Sequence, residues 1–196
     1  MDVSEELGIA GIAVRDHYLQ PVQVRALLDC VHERQSRGEF AAARVGAAAT
    51  LQRDPDVRGD LTCWLREPLW AAEQSLLLGF EQLRLQLNRD LFLGLFELES
   101  HYAWYPPGAA YARHVDQPYG RSARRVSLVL YLNENWDQHA GGELQIFNDR
   151  DGCRQIQPLA GRLVCFLAVG LEHAVLPARR DRFSVTGWFR VRAASQ

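Results

Sequence analysis

Two hydrophobic periods divide the chain. From Pro21, apolar residues recur three and four apart at Val24, Leu27, Leu28 and Val31, the spacing of a helix with one buried face. Pro21 suits a first helical turn, where its missing N–H is no loss, and Gly38 is a stop signal for this helix. A second helical pattern starts near Pro68 and carries Leu69, Leu76, Leu77, Phe80, Leu83, Leu87 and Leu91 on a broad apolar face. Between them, residues 39–60 are rich in alanine and glycine and contain Asp54-Pro55 and Arg58-Gly59-Asp60. They read as a long, mobile loop.

From Leu98 the period becomes two. Candidate strands are 98–105, 109–116, 125–132, 143–148, 153–157, 162–168, 173–177 and 182–191. Turn signals separate them at Pro106-Pro107-Gly108, Pro118-Tyr119-Gly120, Gly141-Gly142, Asp151-Gly152, Gly161 and Gly170. About eight short strands with regular turns predict a jelly roll, or double-stranded β-helix. The expected class is α+β, with the N-terminal helices packed on one sheet. The chain reads as a single domain, 1–196, with a mainly helical part over 1–96 and a double-stranded β-helix core over 97–191.

Side chains alternate across a strand. Val126, Leu128, Leu130 and Leu132 therefore share one face, and Ser127, Val129 and Tyr131 the other. In the last strand Phe183, Val185, Phe189 and Val191 oppose Arg182, Ser184, Thr186 and Trp188. A partly polar inner face in a small barrel implies a cavity that holds something polar.

Composition narrows the classes. A chain of 196 residues, 47% apolar and 23% charged, is an ordinary globular one, long enough to bury a core. The net charge of −2 lacks the basic footprint of a dedicated nucleic-acid binder. The runs Arg121–Arg125 and Arg179–Arg182 read mostly as solvated loop charges and leave a local acidic partner open. The N-terminus shows no secretory pattern and no stretch of about 18 apolar residues occurs, so no membrane span is expected. The four cysteines form no CxxC pair, which argues against a zinc knuckle and suits a reducing cytoplasm; Cys165 reads as a buried small hydrophobe.

His114 and Asp116 stand two apart on a predicted strand, so both side chains leave the same face, about 6.5–7 Å apart at Cα. His173, in the strand-like His173-Ala174-Val175-Leu176, is a candidate third ligand. Two histidines and one carboxylate form a facial triad for Fe(II), leaving positions open for co-substrate and O2. On residue types alone, His114 and Asp116 fit equally an ordinary hydrogen-bonded pair, with His173 at the surface. Arg182 changes that balance. Flanked by Phe183 and Val185, it belongs to a buried strand, where an unpaired guanidinium is very costly. No acidic residue recurs on its strand face, so its carboxylate partner is either a distant Asp or Glu or part of a ligand. Tyr131 and Thr186 are placed to hydrogen-bond the same carboxylate. His17, His32, His101 and His139 lack a partner pattern and read as surface or packing residues.

The string from Tyr105 through Pro106-Pro107-Gly108, Tyr111 and Arg113 to His114-Val115-Asp116 resembles the Fe(II)/2-oxoglutarate-dependent dioxygenases of the prolyl-hydroxylase type, the hypoxia-sensing prolyl hydroxylases and their bacterial relatives. So do Val129-Leu130-Tyr131-Leu132-Asn133, Trp136-Asp137, Gly141-Gly142-Glu143-Leu144, His173-Ala174-Val175, and Arg182 through Thr186 to Trp188-Phe189. The likeness spans residues 58 to 190. It implies Fe(II) held by His114, Asp116 and His173, with Arg182 on the distal carboxylate of 2-oxoglutarate. It implies that Tyr105, Tyr131 and Thr186 line the co-substrate pocket. Arg124 matches a basic residue near the substrate entrance, although segment 117–123 differs in length. Arg58 and Asp60, followed by Trp64-Leu65, resemble the stretch after the family's substrate-covering loop and are candidate substrate contacts. Trp64 and Trp188 read otherwise as core packing.

The implied activity is hydroxylation of a substrate C–H bond, a prolyl residue in a protein loop, with 2-oxoglutarate and O2 converted to succinate and CO2. Ascorbate is implied as a further cofactor. The rival readings are an oxygenase acting on a small molecule or nucleic acid, and a non-catalytic binding or oxygen-sensing module on the same fold. The nucleic-acid reading is disfavoured because no second arginine closely follows Arg182.

Overall fold

A computed structural model describes residues 2–44, 54, 57–116, 123–148 and 152–192. The helices are α1 (Val3–Ala10), α2 (Pro21–Ser36) and α3 (Ala71–Leu91). The strands are β1 (Ile12–Arg15), β2 (Ala41–Ala42), β3 (Leu61–Trp64), β4 (Glu97–Tyr105), β5 (Tyr111–His114), β6 (Arg124–Tyr131), β7 (Leu144–Asn148), β8 (Gly152–Ile156), β9 (Leu163–Leu167), β10 (Glu172–Val175) and β11 (Arg182–Arg190). They form a seven-stranded sheet, β1-β9-β6-β11-β4-β3-β2, and a four-stranded sheet, β5-β10-β7-β8. Every strand pair within them is antiparallel.

Period-two alternation splits the buried residues into two cores. Val126, Leu128 and Leu130 of β6, with Val185 and Phe189 of β11, face the helices and meet Leu27 and Val31 of α2 and Leu76, Phe80, Leu83 and Leu87 of α3. Val129 and Tyr131, Ala103 and Tyr105 of β4, and Val164 and Phe166 of β9 face the other way, onto Leu144, Ile146, Ile156 and Val175 of the smaller sheet. The layers are therefore helices, large sheet and small sheet. Each fully buried leucine or phenylalanine contributes about 1.5–3 kcal/mol. The second core is where the strands carry polar residues inward, and it houses the site.

Helix α2 begins at Pro21, and the Gln23 side chain accepts the backbone N–H of Gln20 at 2.9 Å. Helix α3 starts at Ala71, a little after Pro68, because the Glu73 carboxylate takes the Trp70 N–H at 3.0 Å and caps the first turn there. The two helices are tied by a buried ion pair. Arg34 grips Glu73 through Nε at 2.8 Å and Nη2 at 2.9 Å, reaches Glu39, and stacks 4.5 Å from the Trp70 ring.

The structure adds elements the periodicity does not mark: α1, β1 and the short strands β2 and β3. The stretch 39–60 is not loop throughout, since β2 occupies Ala41–Ala42 and pairs with β3. Residues 45–53, 55 and 56 of that stretch, and 117–122 before Ala123, lie outside the described residues.

Candidate active site

Strand register builds the site. His114 on β5 is the Cα partner of His173 on β10, so the two imidazoles stand side by side, centroids 4.2 Å apart. Asp116, two residues beyond His114, turns back toward both. Its Oδ1 lies 3.7 Å from His114 Nε2 and its Oδ2 3.6 Å from His173 Nε2. One ligand atom from each of the three side chains lies within 4.8 Å of the others.

The surroundings set which atoms point at the shared space. Nδ1 of His114 lies 2.7 Å from the Ala112 carbonyl, and Nδ1 of His173 lies 3.1 Å from the Leu171 carbonyl. A carbonyl only accepts, so each Nδ1 carries a proton, and in the neutral imidazole the lone pair is then on Nε2. Ser127 of β6 donates its hydroxyl to Asp116 Oδ2 at 2.6 Å, fixing the carboxylate. Tyr111 stacks on the His114 ring at 3.6 Å and 15°, and Phe166 meets His173 edge-on at 4.8 Å.

Burial, and next the neighbouring His173, push His114 down to about 4. Burial alone would raise the Asp116 carboxyl, but the two imidazoles and the Ser127 hydroxyl outweigh it and hold the group below its ordinary value. At neutral pH the site therefore offers a neutral His114 imidazole and an anionic oxygen, a set that suits a divalent metal without thiolate preference.

Arg182 opens the other end of the same cavity. It is 1% exposed, and its Nε donates to the Gly142 carbonyl at 2.9 Å. The Tyr105 and Tyr131 rings each lie 5.0 Å from its guanidinium carbon. Its Nη2 has no hydrogen-bond partner, and neither have the Tyr131 hydroxyl and Ser184 Oγ. No carboxylate among the described residues pairs with it. Burial pushes the Tyr105 and Tyr131 phenols up, so both stay protonated donors. The cation's unmet Nη2, with the Tyr131 hydroxyl beside it, forms a socket for a carboxylate that the described residues do not supply.

Thr186 lines the wall between the two ends, in register with His101 of β4 on one side and Val129 of β6 on the other. Arg58 lies on the wall too, but its guanidinium is engaged: two hydrogen bonds of 2.7 and 3.0 Å join it to Asp60, which is 2% exposed, and it covers the Tyr111 ring at 4.7 Å. Arg124 does not line the cavity. It stands at the start of β6, bonded to Glu99 at 2.6 Å and 3.6 Å over the ring of Trp188, which does line it.

Residue types alone give no site role to Ser127, Tyr111, His101 or Trp188. Ser127 was visible as a polar residue on the inner face of β6, without a role. Tyr111 acts through ring stacking, which has no sequence spacing. His101 is buried between Trp64 and Trp188, both ring nitrogens unpartnered, and burial lowers it to about 3. Trp188 packs, as expected, yet it also walls the cavity; Trp64 remains 39% exposed. A roomier space of about 260 Å³ lies between α2 and α3 beside Tyr18 and Leu76, but no acidic or basic side chain lines it.

The family model for the 2OG-Fe(II) oxygenase superfamily matches residues 100–190. A solved Pseudomonas putida prolyl-4-hydroxylase is 40% identical, with a TM-score of 0.89, covering 97% of this chain and 98% of that one. A Trichoplax adhaerens prolyl hydroxylase, solved with a hypoxia inducible factor oxygen degradation domain peptide fragment, is 27% identical with a TM-score of 0.87, covering 96% and 87%. Human Egl nine homolog 1 is 30% identical over 91% of this chain, and the chain spans only 43% of that relative's length. Sequence, fold and donor set agree, and the chain belongs to the 2OG-Fe(II) oxygenase superfamily, as a member of the prolyl-hydroxylase type.

Proposed function

We propose that this protein is an Fe(II)- and 2-oxoglutarate-dependent dioxygenase that hydroxylates a prolyl residue in a protein substrate, a prolyl 4-hydroxylase. The observation that carries this is the pairing of a His-Asp-His cluster with a buried arginine whose outer guanidinium nitrogen has no partner, in one cavity. His114, Asp116 and His173 would hold Fe(II); Arg182 would take the distal carboxylate of 2-oxoglutarate, with Tyr105, Tyr131 and Thr186 around the co-substrate. When bound, the metal and 2-oxoglutarate together supply the oxidising chemistry, consuming O2 and yielding succinate and CO2.

The chain's own part is placement. The Ala112 and Leu171 carbonyls hold both imidazoles in the tautomer that offers Nε2. The Ser127 hydroxyl orients the carboxylate, and Tyr111 and Phe166 pack against the two rings and exclude water from them. The Arg58–Asp60 pair buttresses Tyr111 from behind. On this reading Arg58, Asp60 and Arg124 border the substrate's approach, and Arg58 and Asp60 support the wall.

The peptide-bound Trichoplax relative and the Pseudomonas prolyl-4-hydroxylase support a polypeptide substrate carrying proline. Ascorbate as an auxiliary reductant belongs to the same proposal. So does a cytoplasmic location, supported by four free cysteines. No helix among the described residues is long and apolar enough to cross a membrane.

The test is incubation with Fe(II), 2-oxoglutarate, O2 and proline-containing peptides, read by mass spectrometry. The proposal expects a gain of one oxygen atom on a proline, matched by succinate. Succinate formation driven by a free metabolite, with every peptide unmodified, would refute the protein substrate.

A further inference from the structure

The Trp136 to Gly142 segment lies outside the metal cluster, yet it meets Arg182 at the far end of the cavity. Gly141 and Gly142 both have φ of +77°, a region that side chains disfavour. The turn closes onto a second loop: the Gly142 N–H donates to the Pro177 carbonyl at 3.1 Å, and Gly141 bridges to Ala178. The Trp136 indole N–H donates to the Gly141 carbonyl at 3.1 Å. A β-carbon placed on Gly142 would lie 3.0 Å from the Ala178 β-carbon, 3.1 Å from the Trp136 ring and 3.3 Å from Cδ of Arg182. Gly142 is thus the one-atom-thick wall against which the Arg182 stem rests.

The same residue supplies the acceptor for Arg182 Nε, at 2.9 Å. A guanidinium can receive a carboxylate along its Nε edge or along its two outer nitrogens. With Nε engaged by a backbone carbonyl, only the outer edge remains, and there Nη2 is unpartnered. We propose that Gly142, backed by Trp136, is the positioning residue for Arg182. Its carbonyl closes the Nε edge, its missing side chain sets how deep the stem sits, and the pair thereby selects an oxo acid with a second, distal carboxylate. This rests on the reading of Arg182 as the co-substrate anchor and goes beyond it by assigning the selectivity to the glycine turn.

Two ligands separate this role from a merely structural one. 2-Oxoglutarate and 2-oxopentanoate share the keto-acid head and the carbon chain; only the first has the distal carboxylate. Both are titrated calorimetrically, without O2, into the Mn(II)-loaded protein. Wild type should bind 2-oxoglutarate the more tightly. Gly142→Ala should raise the 2-oxoglutarate Kd by at least about tenfold and leave the 2-oxopentanoate Kd and the Mn(II) Kd within about twofold. Trp136→Phe, which removes the donor to Gly141, should show the same selective loss at about two- to fivefold, and it decides the matter should Gly142→Ala not fold. Equal weakening of both ligands, or unchanged 2-oxoglutarate binding in both variants, overturns the assignment. A wild-type protein that binds the two ligands equally would instead overturn the anchor itself, and the assignment with it.

Discussion

Arg34 and Arg182 are both buried, on opposite faces of the large sheet, and they differ in one respect. Arg34 has a two-point bond to buried Glu73, a second carboxylate in Glu39 and an indole face in Trp70. Arg182 has one backbone carbonyl, two tyrosine rings and an outer nitrogen with no hydrogen-bond partner. A buried charge left short of partners is destabilising by several kcal/mol. The helical layer answers that demand within the chain and so makes a joint. The cavity leaves it open and so makes a socket. The same contrast holds for ordinary polar groups: Ser127 spends its hydroxyl on Asp116, whereas Ser184 and Tyr131, beside Arg182, keep theirs.

The contrast breaks most sharply at the charges themselves. Glu73→Gln should lower unfolding free energy by about 3–5 kcal/mol, because it strands Arg34. Arg182→Met should leave the ligand-free stability within about 1 kcal/mol of wild type, or raise it, since it removes a charge with no counter-ion. It should nonetheless weaken 2-oxoglutarate binding by about a hundredfold. Urea titrations of both variants, with calorimetry on the second, check the pair. A strongly destabilised Arg182→Met protein would mean that Arg182 is another joint.

Next in size is the serine comparison. Ser127→Ala should weaken metal binding by about 10–100-fold, the usual effect of removing a partner that orients a metal-binding carboxylate. Ser184→Ala should leave metal affinity unchanged. Competition with a metal-binding dye distinguishes them, and equal metal affinities in the two variants would contradict the map.

A smaller effect follows from His101. Its folded-state value is lowered to about 3 from an ordinary 6.5. Between those values the unfolded chain takes up a proton that the folded one refuses. Stability should therefore fall as pH drops through 6.5 and level off below about 3. In metal-free protein, His101→Phe should reduce the loss of stability between about pH 7 and 5 by roughly 1–2 kcal/mol. Identical pH slopes for the variant and wild type would show that His101 is protonated in the fold.

Much of this architecture is legible in residue order. Alternation located β4 to β11 within a few residues; its clearest cause is in β4, β6, β9 and β11, which pack one face on the helices and the other on the small sheet. The same alternation put Arg182 and Thr186 on one face, and Ser127 and Tyr131 on one face. His173 was different: no local period links it to His114, so residue type made it only a candidate and the resemblance strengthened the link, whereas the structure joins them as cross-strand partners. Helix α1 escaped because it has only eight residues, although its Asp2–Glu5 capping box was present in the sequence. The strands β1, β2 and β3 are four residues or fewer, too short for alternation to register. The roles of Tyr111 and His101 are ring contacts between strands, which no spacing encodes. Arg58 read as a candidate substrate contact; its bond to Asp60, two residues on, is a pairing that the spacing did not announce.

The most direct test of the whole account is anaerobic optical titration of the metal-free protein with Fe(II) and 2-oxoglutarate. A visible charge-transfer absorption should appear only when both are present, vanish in His173→Ala, and require far more 2-oxoglutarate in Arg182→Met. An absorption that persists at full strength in His173→Ala, or saturates at the same 2-oxoglutarate concentration in Arg182→Met, would contradict it.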